Sequence, residues 1–368
     1  MSFNTLPSTQ RALKVSGPGQ VNLINDASIP HIGPKDVLIQ NAYIGLNPYD
    51  TKSLDLSPSP GATVGGNFAG EIVAVGEAVA SSGHARIGDR VFGCVFGNNP
   101  GERDNGAFAD YVAVPAQLVI KIPAWMSFQQ AATLGIALAT AGLALFKGLG
   151  LSMNPLSESS ESSSSSSSRG TVLVYGGGTA TGALTIQVLR RIGFTPITTC
   201  SPHSSTRLKS LGAEKTFDYA SPTCGSEIHS YTRNNLRYAL DCISTTASMK
   251  TCYEAIGSPG GGKYLALDPF PLHTHTRRSI MPEWLFLFTQ FGKPIAWKRP
   301  YDFPARPRDR EVAGRWYRVA EKLLEEKLIR PPEYREEASG LQGVCDGLDQ
   351  MRKGMAGGVK LVYPVRTQ

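Results

Sequence analysis

Residues 171–193 read TVLVYGGGTATGALTIQVLRRIG. An apolar strand (Thr171–Tyr175) runs into three glycines and leaves them as a helix (Ala180–Ile192) with Ile186, Leu189 and Ile192 on one side. A strand handed directly to a helix can return to its sheet only by a crossover, so the next strand lies parallel to it. The downstream pattern continues the alternation: strands are expected at Pro196–Cys200, Thr216–Tyr219, Tyr238–Ile243 and Lys263–Leu267, with helices at Thr206–Leu211 and Ala247–Ile256. That order predicts a parallel sheet with helices on both faces, an α/β architecture.

The glycines also predict a ligand. Without a Cβ, the backbone at Gly176 and Gly178 can turn sharply and approach a pyrophosphate, while the helix N-terminus offers free N–H groups and the positive end of its dipole. Hydroxyls of Thr179 and Thr181 can add hydrogen bonds. The spacing departs from G-x-G-x-x-G, since the third glycine stands at Gly182, but strand before, helix after and βαβ context support a dinucleotide site. The absence of a following Gly-Lys-Ser/Thr argues against a phosphate loop of the NTPase type. An NAD site places an acid at the end of the second strand. Here that place reads Cys200, Ser201, Pro202, His203, Ser204, Ser205, with Arg207 and Lys209 close by and no acid before Glu214. Hydroxyls and cations suit a 2′-phosphate, so NADPH is expected rather than NADH.

The first 125 residues read differently. Short runs at Arg11–Val15, Asp36–Ile44, Gly70–Val75, Arg90–Phe96 and Ala109–Val114, separated by Gly, Pro and Asn turns, predict a β-rich unit. A helix over Gln129–Leu149 follows, with Ser127 as N-cap. Residues 157–168 are almost pure serine and predict a mobile surface loop, which cannot build a core. After Asp268 the chain is rich in Pro and aromatics to Pro307; helices are expected at Glu311–Lys327 and Leu341–Met351, and a closing strand at Val359–Pro364.

With 41% apolar and 18% charged residues, the 368-residue chain has enough core for two domains and is too apolar for a largely disordered one. Its formal charge of +7 favours acidic partners: a phosphorylated cofactor, an acidic carrier protein or nucleic acid. No interleaved basic and aromatic motif supports nucleic acid. The cations Arg306, Arg308 and Arg310 read as a solvated face or a docking patch. Six scattered cysteines without a CxxC suggest neither a zinc ribbon nor a redox pair and fit a reducing compartment. No signal pattern opens the chain, and the longest apolar stretch, Ala131–Phe146, is too short to span a bilayer, so a cytoplasmic enzyme without membrane contact is expected. No Gly-x-Ser-x-Gly elbow points to a hydrolase; His273 and His275 lack Cys or carboxylate partners at metal-ligand spacing, and His31, His84 and His229 read as surface residues.

The pairing of a β-rich N-terminal half with this nucleotide unit resembles the medium-chain dehydrogenase/reductase superfamily, quinone-oxidoreductase-like branch; GGNFAGEIVAVG (65–76) and GDRVFG (88–93) carry the likeness. The resemblance implies a GroES-like catalytic domain at residues 1–135 and 308–368 and a Rossmann NADPH-binding domain, doubly wound, at 136–307. Where zinc-dependent members have a His ligand this chain has Asn67; the upstream Cys is missing around Gly45–Asn47, and only Cys94 stands near the structural-zinc loop, so zinc-independent chemistry is implied. GLNPYDTK (45–52), SPSPGATVGGNFAG (57–70), GIALATAGLALF (135–146), TCSPHS, LDPFP (267–271) and GGVKLVYPV resemble, more narrowly, the fungal trans-acting enoyl reductases that serve polyketide synthases or polyketide–peptide hybrids.

That resemblance implies cofactor contacts at Tyr49, Asp50, Thr51, Lys52, Gly178, Thr179, Ala180, Thr181, Ser201, Pro202, His203, Ser204, Tyr219, Leu267, Gly358 and Val359. It implies substrate contacts at Thr140, Ala141, Gly142, Trp284, Phe286, Phe288, Thr289 and Gln290, and an acyl-carrier domain as partner. The implied reaction is NADPH-dependent reduction of an α,β-unsaturated thioester, with Lys52 a candidate cation and Thr140 a candidate donor in catalysis. A stand-alone quinone or alkenal reductase, and a non-catalytic nucleotide-binding scaffold, are the alternatives.

Overall fold

The computed structural model describes residues 6–83, 85–153, 168–258 and 260–366, which leaves His84 and nearly all of the serine tract outside the described residues. Three sheets organise it. A hairpin of β1 (Thr9–Gly17) and β2 (Gln20–Ser28) stands apart, tied to the rest by bridges Ala12–Ala109 and Lys14–Thr63. A mixed sheet follows the order β14-β15-β3-β4-β5-β7, with β6 paired on β3. Its strands are β3 (Asp36–Gly45), β4 (Asn67–Val75), β5 (Arg90–Cys94), β6 (Tyr111–Pro115), β7 (Val119–Lys121), β14 (Tyr334–Glu336) and β15 (Lys360–Pro364). The C-terminal strand β15 thus closes a sheet built mainly by the first third of the chain. Helices α1 (Pro48–Leu56) and α2 (Glu77–Ser82) lie between these strands in sequence.

The second half forms a six-stranded, wholly parallel sheet in the order β10-β9-β8-β11-β12-β13. Its strands are β8 (Thr171–Tyr175), β9 (Thr195–Cys200), β10 (Lys215–Asp218), β11 (Tyr238–Asp241), β12 (Gly262–Ala266) and β13 (Ile280–Trp284). Helices α5 (Ala180–Arg191), α6 (Ser205–Ser210), α7 (Cys224–Tyr231) and α8 (Thr246–Ala255) alternate with them. The strand order reverses between β8 and β11, and the crevice beyond the carboxyl ends of these two strands is where such sheets bind ligands. The predicted doubly wound α/β sheet is present, and Ile186, Leu189 and Ile192 are buried as its pattern requires.

Three of the differences from expectation matter most here. The helix expected over 129–149 is broken into α3 (Phe128–Ala132), α4 (Gly135–Gly142) and a π-helical stretch, Leu143–Gly148. The break has a cause: Asn67 Oδ1 accepts the amide of Ile136 at 2.7 Å, and a Cβ at Gly135 would stand 2.1 Å from the carbonyl oxygen of Gly93. Only glycine lets the helix start that close to β5. The sixth parallel strand, β13, falls in the Pro-rich segment; Pro282 lacks an N–H, which an edge strand tolerates. Helix α1 begins at Pro48 under a capping box in which the Asp50 carboxylate accepts the amide of Asn47 at 2.7 Å.

Helix α9 (Pro307–Glu325) joins the two halves. Trp316 on α9 is fully buried and donates Nε1–H to the carbonyl of Leu138 on α4 at 2.9 Å. One hydrophobic core runs from Phe92 and Leu118 through Leu138 and Trp316 to Val174, Leu184 and Leu240, so the two halves share packing. The last helix, α10 (Val344–Arg352), covers the end of the mixed sheet through Leu348. The three arginines do not form one face: Arg306 lies over the ring of Phe303, Arg308 is exposed, and the half-buried Arg310 has no acceptor for its Nε–H among the described residues. Burial lowers the pKa of Arg310 from its ordinary value.

Candidate active site

A cavity of about 480 Å³ opens between the two sheets, at the strand-order reversal. Its floor on the parallel-sheet side is the turn Gly178–Thr181, with Cys242 after β11 and Leu267 and Asp268 after β12. The opposite wall is Tyr49 and Lys52 of α1 and Ile136, Ala137 and Thr140 of α4. Gly358, Val359 and Lys360, at the start of β15, close one end; Phe286, Phe288, Trp297 and Tyr301 make an aromatic side.

The turn is built by its neighbours. Gly176, at φ +85°, donates its amide to Thr199 Oγ1 at 3.0 Å, and Gly177 donates to the Thr199 carbonyl at 3.0 Å. A Cβ at Gly177 would fall 2.1 Å from Thr198 Oγ1, and one at Gly182 would fall 2.4 Å from the Gly176 carbonyl oxygen. At Gly178 the nearest atom to such a Cβ is Ser204 Oγ at 3.9 Å, so this face of the turn is open. Thr179 is the N-cap of α5: its hydroxyl accepts from Gly182 at 3.0 Å and donates to the Gly176 carbonyl at 2.9 Å. That side chain is already engaged, and it stabilises the turn rather than standing ready for a phosphate. The amides of Ala180 and Thr181, in the first turn of α5, have no acceptor within the helix. An open glycine face, free first-turn amides and a dipole end together fit a pyrophosphate.

The serines after β9 lie beside that turn. Ser201 Oγ is 3.2 Å from His203 Nε2 and 3.4 Å from Ser204 Oγ. Asp218 pairs with Cys200 in the sheet, so Tyr219 and Ser201 leave adjacent strands side by side; Tyr219 is exposed. These residues are off the cavity wall, but Arg207 from α6 is on it.

Other expected residues lie behind the wall. Asp50 and Thr51 are buried in α1, where Asp50 caps the helix and Thr51 Oγ1 donates to the Pro48 carbonyl at 3.0 Å. Ala141 is buried, and a Cβ at Gly142 would stand 2.1 Å from Trp316 Cδ1, so both serve packing between α4 and α9. Thr289 donates to Asp309 at 2.6 Å; buried Gln290 bonds Cys94 Sγ and Tyr317. Trp284 packs edge-on against Tyr301 and at a tilt against Phe303, one layer out from Phe286. Of the expected substrate residues, Thr140, Phe286 and Phe288 face the cavity. Among the described residues the Thr140 hydroxyl has no protein hydrogen-bond partner, which leaves it free to donate to a ligand.

Lys52 reaches across the cavity: Nζ is 2.6 Å from Asp268 Oδ2, and Tyr301 donates to Asp268 Oδ1 at 2.7 Å. The lysine side chain is 55% exposed. Such a pair contributes roughly 0–1 kcal/mol to stability. Both ends of the Asn67 amide are engaged, donating to the Ala132 carbonyl at 2.8 Å and accepting from Ile136. Among the described residues no group of three or more His, Cys, Asp or Glu side chains gathers as a metal site. Likewise, no helix is long and apolar enough to cross a membrane.

Sequence reasoning missed Lys360. It is buried on the cavity wall and donates to the Leu46 carbonyl at 2.7 Å and to Asn47 Oδ1. Its signal was a lone cation inside an apolar closing strand, Val359-Lys360-Leu361-Val362.

Comparison with known proteins agrees with this geometry. Residues 33–124 match the alcohol dehydrogenase GroES-like domain. The trans-enoyl reductase opdC of Penicillium oxalicum is 57% identical over 361 residues, 98% of each chain. The chain belongs to the trans-enoyl reductases. Trans-enoyl reductase iccB of Talaromyces variabilis is 51% identical, over 99% of this chain and 98% of that protein. Among solved structures, CurK enoyl reductase superposes with a TM-score of 0.71 at 18% identity, covering 97% of this chain and 99% of that one. A putative zinc-dependent alcohol dehydrogenase from Rhizobium etli gives 0.74 at 21%, covering 98% and 99%. At these identities the structural likeness establishes the medium-chain dehydrogenase fold. As a trans-enoyl reductase with this fold, the chain is an oxidoreductase that uses a nicotinamide cofactor.

Proposed function

We propose that this trans-enoyl reductase uses NADPH to saturate the α,β-double bond of an acyl thioester carried on the acyl-carrier domain of a polyketide synthase. The observation that carries the reading is the single cavity joining the Gly178–Thr181 turn and Arg207 to Thr140 and an aromatic wall. Gly178 and the first-turn amides of α5 would hold the pyrophosphate; Arg207 with Ser201, His203 and Ser204 would hold the 2′-phosphate. The nicotinamide supplies a hydride. Thr140 donates to the thioester carbonyl, where negative charge develops as the β-carbon is reduced. Phe286, Phe288 and Trp297 exclude water and pack the acyl chain, and Lys52 exchanges Asp268 for a ligand oxygen.

The test is turnover of NADPH by the purified protein with a series of 2-enoyl pantetheine thioesters. The saturated thioester is expected in one-to-one yield with NADPH consumed; turnover of free quinones with none of any thioester would contradict the reading. In the same assay, Arg207→Ala should raise the KM for NADPH about tenfold, about 1.4 kcal/mol, and leave that for NADH unchanged. Equal effects on both cofactors would remove Arg207 from the 2′-phosphate site.

A further inference from the structure

Enolate formation leaves a proton to be delivered to the α-carbon, and the cavity wall offers few groups to deliver it. Tyr49 is turned away, its hydroxyl donating to the Gly97 carbonyl, and burial holds its pKa well above the usual tyrosine value. Cys242 is half-buried, and burial raises its thiol. Lys52 pairs with Asp268 and, in the reading above, turns from it to a ligand oxygen. Lys360 differs from all three. Its Nζ sits at the end of an apolar strand, held by two acceptors, the Leu46 carbonyl and Asn47 Oδ1. An ammonium carries three hydrogens, and among the described residues the third has no acceptor. The loop that holds it, Leu46 and Asn47, itself lines the cavity with Tyr49 and Ile136.

A second observation stands beside it. Asp50, buried on α1, has one oxygen, Oδ1, without a hydrogen-bond partner among the described residues, while Oδ2 accepts from Asn47. Burial raises the Asp50 carboxyl and lowers the Lys360 ammonium, and each charge partly offsets the shift of the other. The amine is thereby more acidic than a free lysine while still tethered near a carboxylate.

We propose that Lys360 is the catalytic acid that protonates the α-carbon of the enolate. The step rests on the enoyl-reductase reading above. Once the β-carbon has received hydride, the enolate electron pair forms the new Cα–H bond to a hydrogen of Nζ. The N–H bond breaks with its pair left on nitrogen, the carbonyl is restored, and the neutral amine regains a proton from water. Asn47 and the Leu46 carbonyl fix the direction from which the proton arrives, so one face of the α-carbon receives it. The charged group acting on Lys360 is Asp50 from α1; Lys52, Arg207, Asp268 and Glu333 complete the charged lining of the cavity.

The experiment compares wild type, Lys360→Met and Asp50→Asn, each first titrated with NADPH by fluorescence. For Lys360→Met, NADPH affinity within threefold of wild type is expected, with kcat about 100-fold lower. In deuterated water the wild-type product should carry α-deuterium on one face, and the variant product on both. In wild type, kcat should fall as pH rises through the Lys360 pKa, below the value of about 10.4 for a free lysine. Asp50→Asn removes the charge that raises the Lys360 pKa and should move this limb to lower pH, an outcome readable even if Lys360→Met does not fold. The proposal is overturned if Lys360→Met keeps kcat within threefold, if its NADPH affinity falls in step with kcat, or if the Asp50→Asn limb does not move. Absence of wild-type turnover with any enoyl thioester would instead overturn the function itself.

Discussion

Replacing Gly182 by valine is expected to abolish cofactor binding, raising the dissociation constant for NADPH at least 100-fold. A Cβ there would stand 2.4 Å from the Gly176 carbonyl oxygen, 2.8 Å from the Gly177 Cα and 3.0 Å from Thr179 Oγ1. The first two are backbone atoms of the turn itself, so relief requires the turn to open. Opening it breaks the Thr179 cap on Gly182 and displaces the free amides of Ala180 and Thr181 by the amount the helix moves. The loss of a hundredfold corresponds to about 2.7 kcal/mol, modest for a backbone clash at this distance. Fluorescence titration measures the affinity, and a thermal melt separates lost binding from lost folding. Affinity within threefold of wild type would show that the turn is not the pyrophosphate site.

The second large effect falls on stability, at Asp241. This carboxylate is fully buried at the end of β11 and accepts four hydrogen bonds. Oδ1 takes the amides of Ile243 and Ser244 at 2.9 Å each; Oδ2 takes the hydroxyls of Ser248 at 2.6 Å and Tyr264 at 2.8 Å. Burial nevertheless raises its pKa from the ordinary carboxylate value. Asp241→Ala leaves the Ile243 and Ser244 amides and the Tyr264 hydroxyl without this acceptor, while the Ser248 hydroxyl keeps the Thr245 carbonyl at 3.0 Å; each unsatisfied buried group costs roughly 1–3 kcal/mol. A loss of about 3 kcal/mol or more is expected in urea denaturation. Asp241→Asn keeps an acceptor for the two amides, and the hydroxyls of Ser248 and Tyr264 can turn to accept from its amide, so its cost should be less than half as large. The raised pKa gives the pH sign. Stability from this group is full at low pH and is lost as pH rises through the folded-state pKa, because the charged form is the one penalised. A loss under 1 kcal/mol for Asp241→Ala would contradict this account of the β11 terminus. The same site positions Cys242 and the cavity floor, so the alanine variant should also bind cofactor more weakly.

Much of this arrangement is legible in the sequence because it is local. The strand, glycines and helix at 171–193 are adjacent in the chain, and their geometry follows from φ freedom and the helix end. Asn67 in place of a histidine is equally local, although its structural task, holding the amide of Ile136, depends on a residue 69 positions away. What sequence cannot supply is the partner of a side chain. Thr179 reads as a phosphate donor until its bond to Gly182 is seen. Gly142 and Gln290 read as substrate contacts until Trp316 and Cys94 occupy them. The strand β13 hides behind Pro282, because pattern reading discounts proline and cannot know that the strand lies at a sheet edge. Lys360 hides for the opposite reason: it sits in a strand that is easily recognised, and only the return of β15 to β3 brings it to Leu46 and Asn47.

The measurement that bears most directly on the central claim follows a label rather than a rate. NADPH carrying deuterium at the transferable C4 position is incubated with the enzyme and a 2-enoyl pantetheine thioester, and the product is analysed by mass spectrometry and NMR. One deuterium at the β-carbon of a saturated thioester is the predicted result. Deuterium on C1 of an aldehyde or alcohol, or a product without deuterium, would contradict enoyl reduction at this cavity.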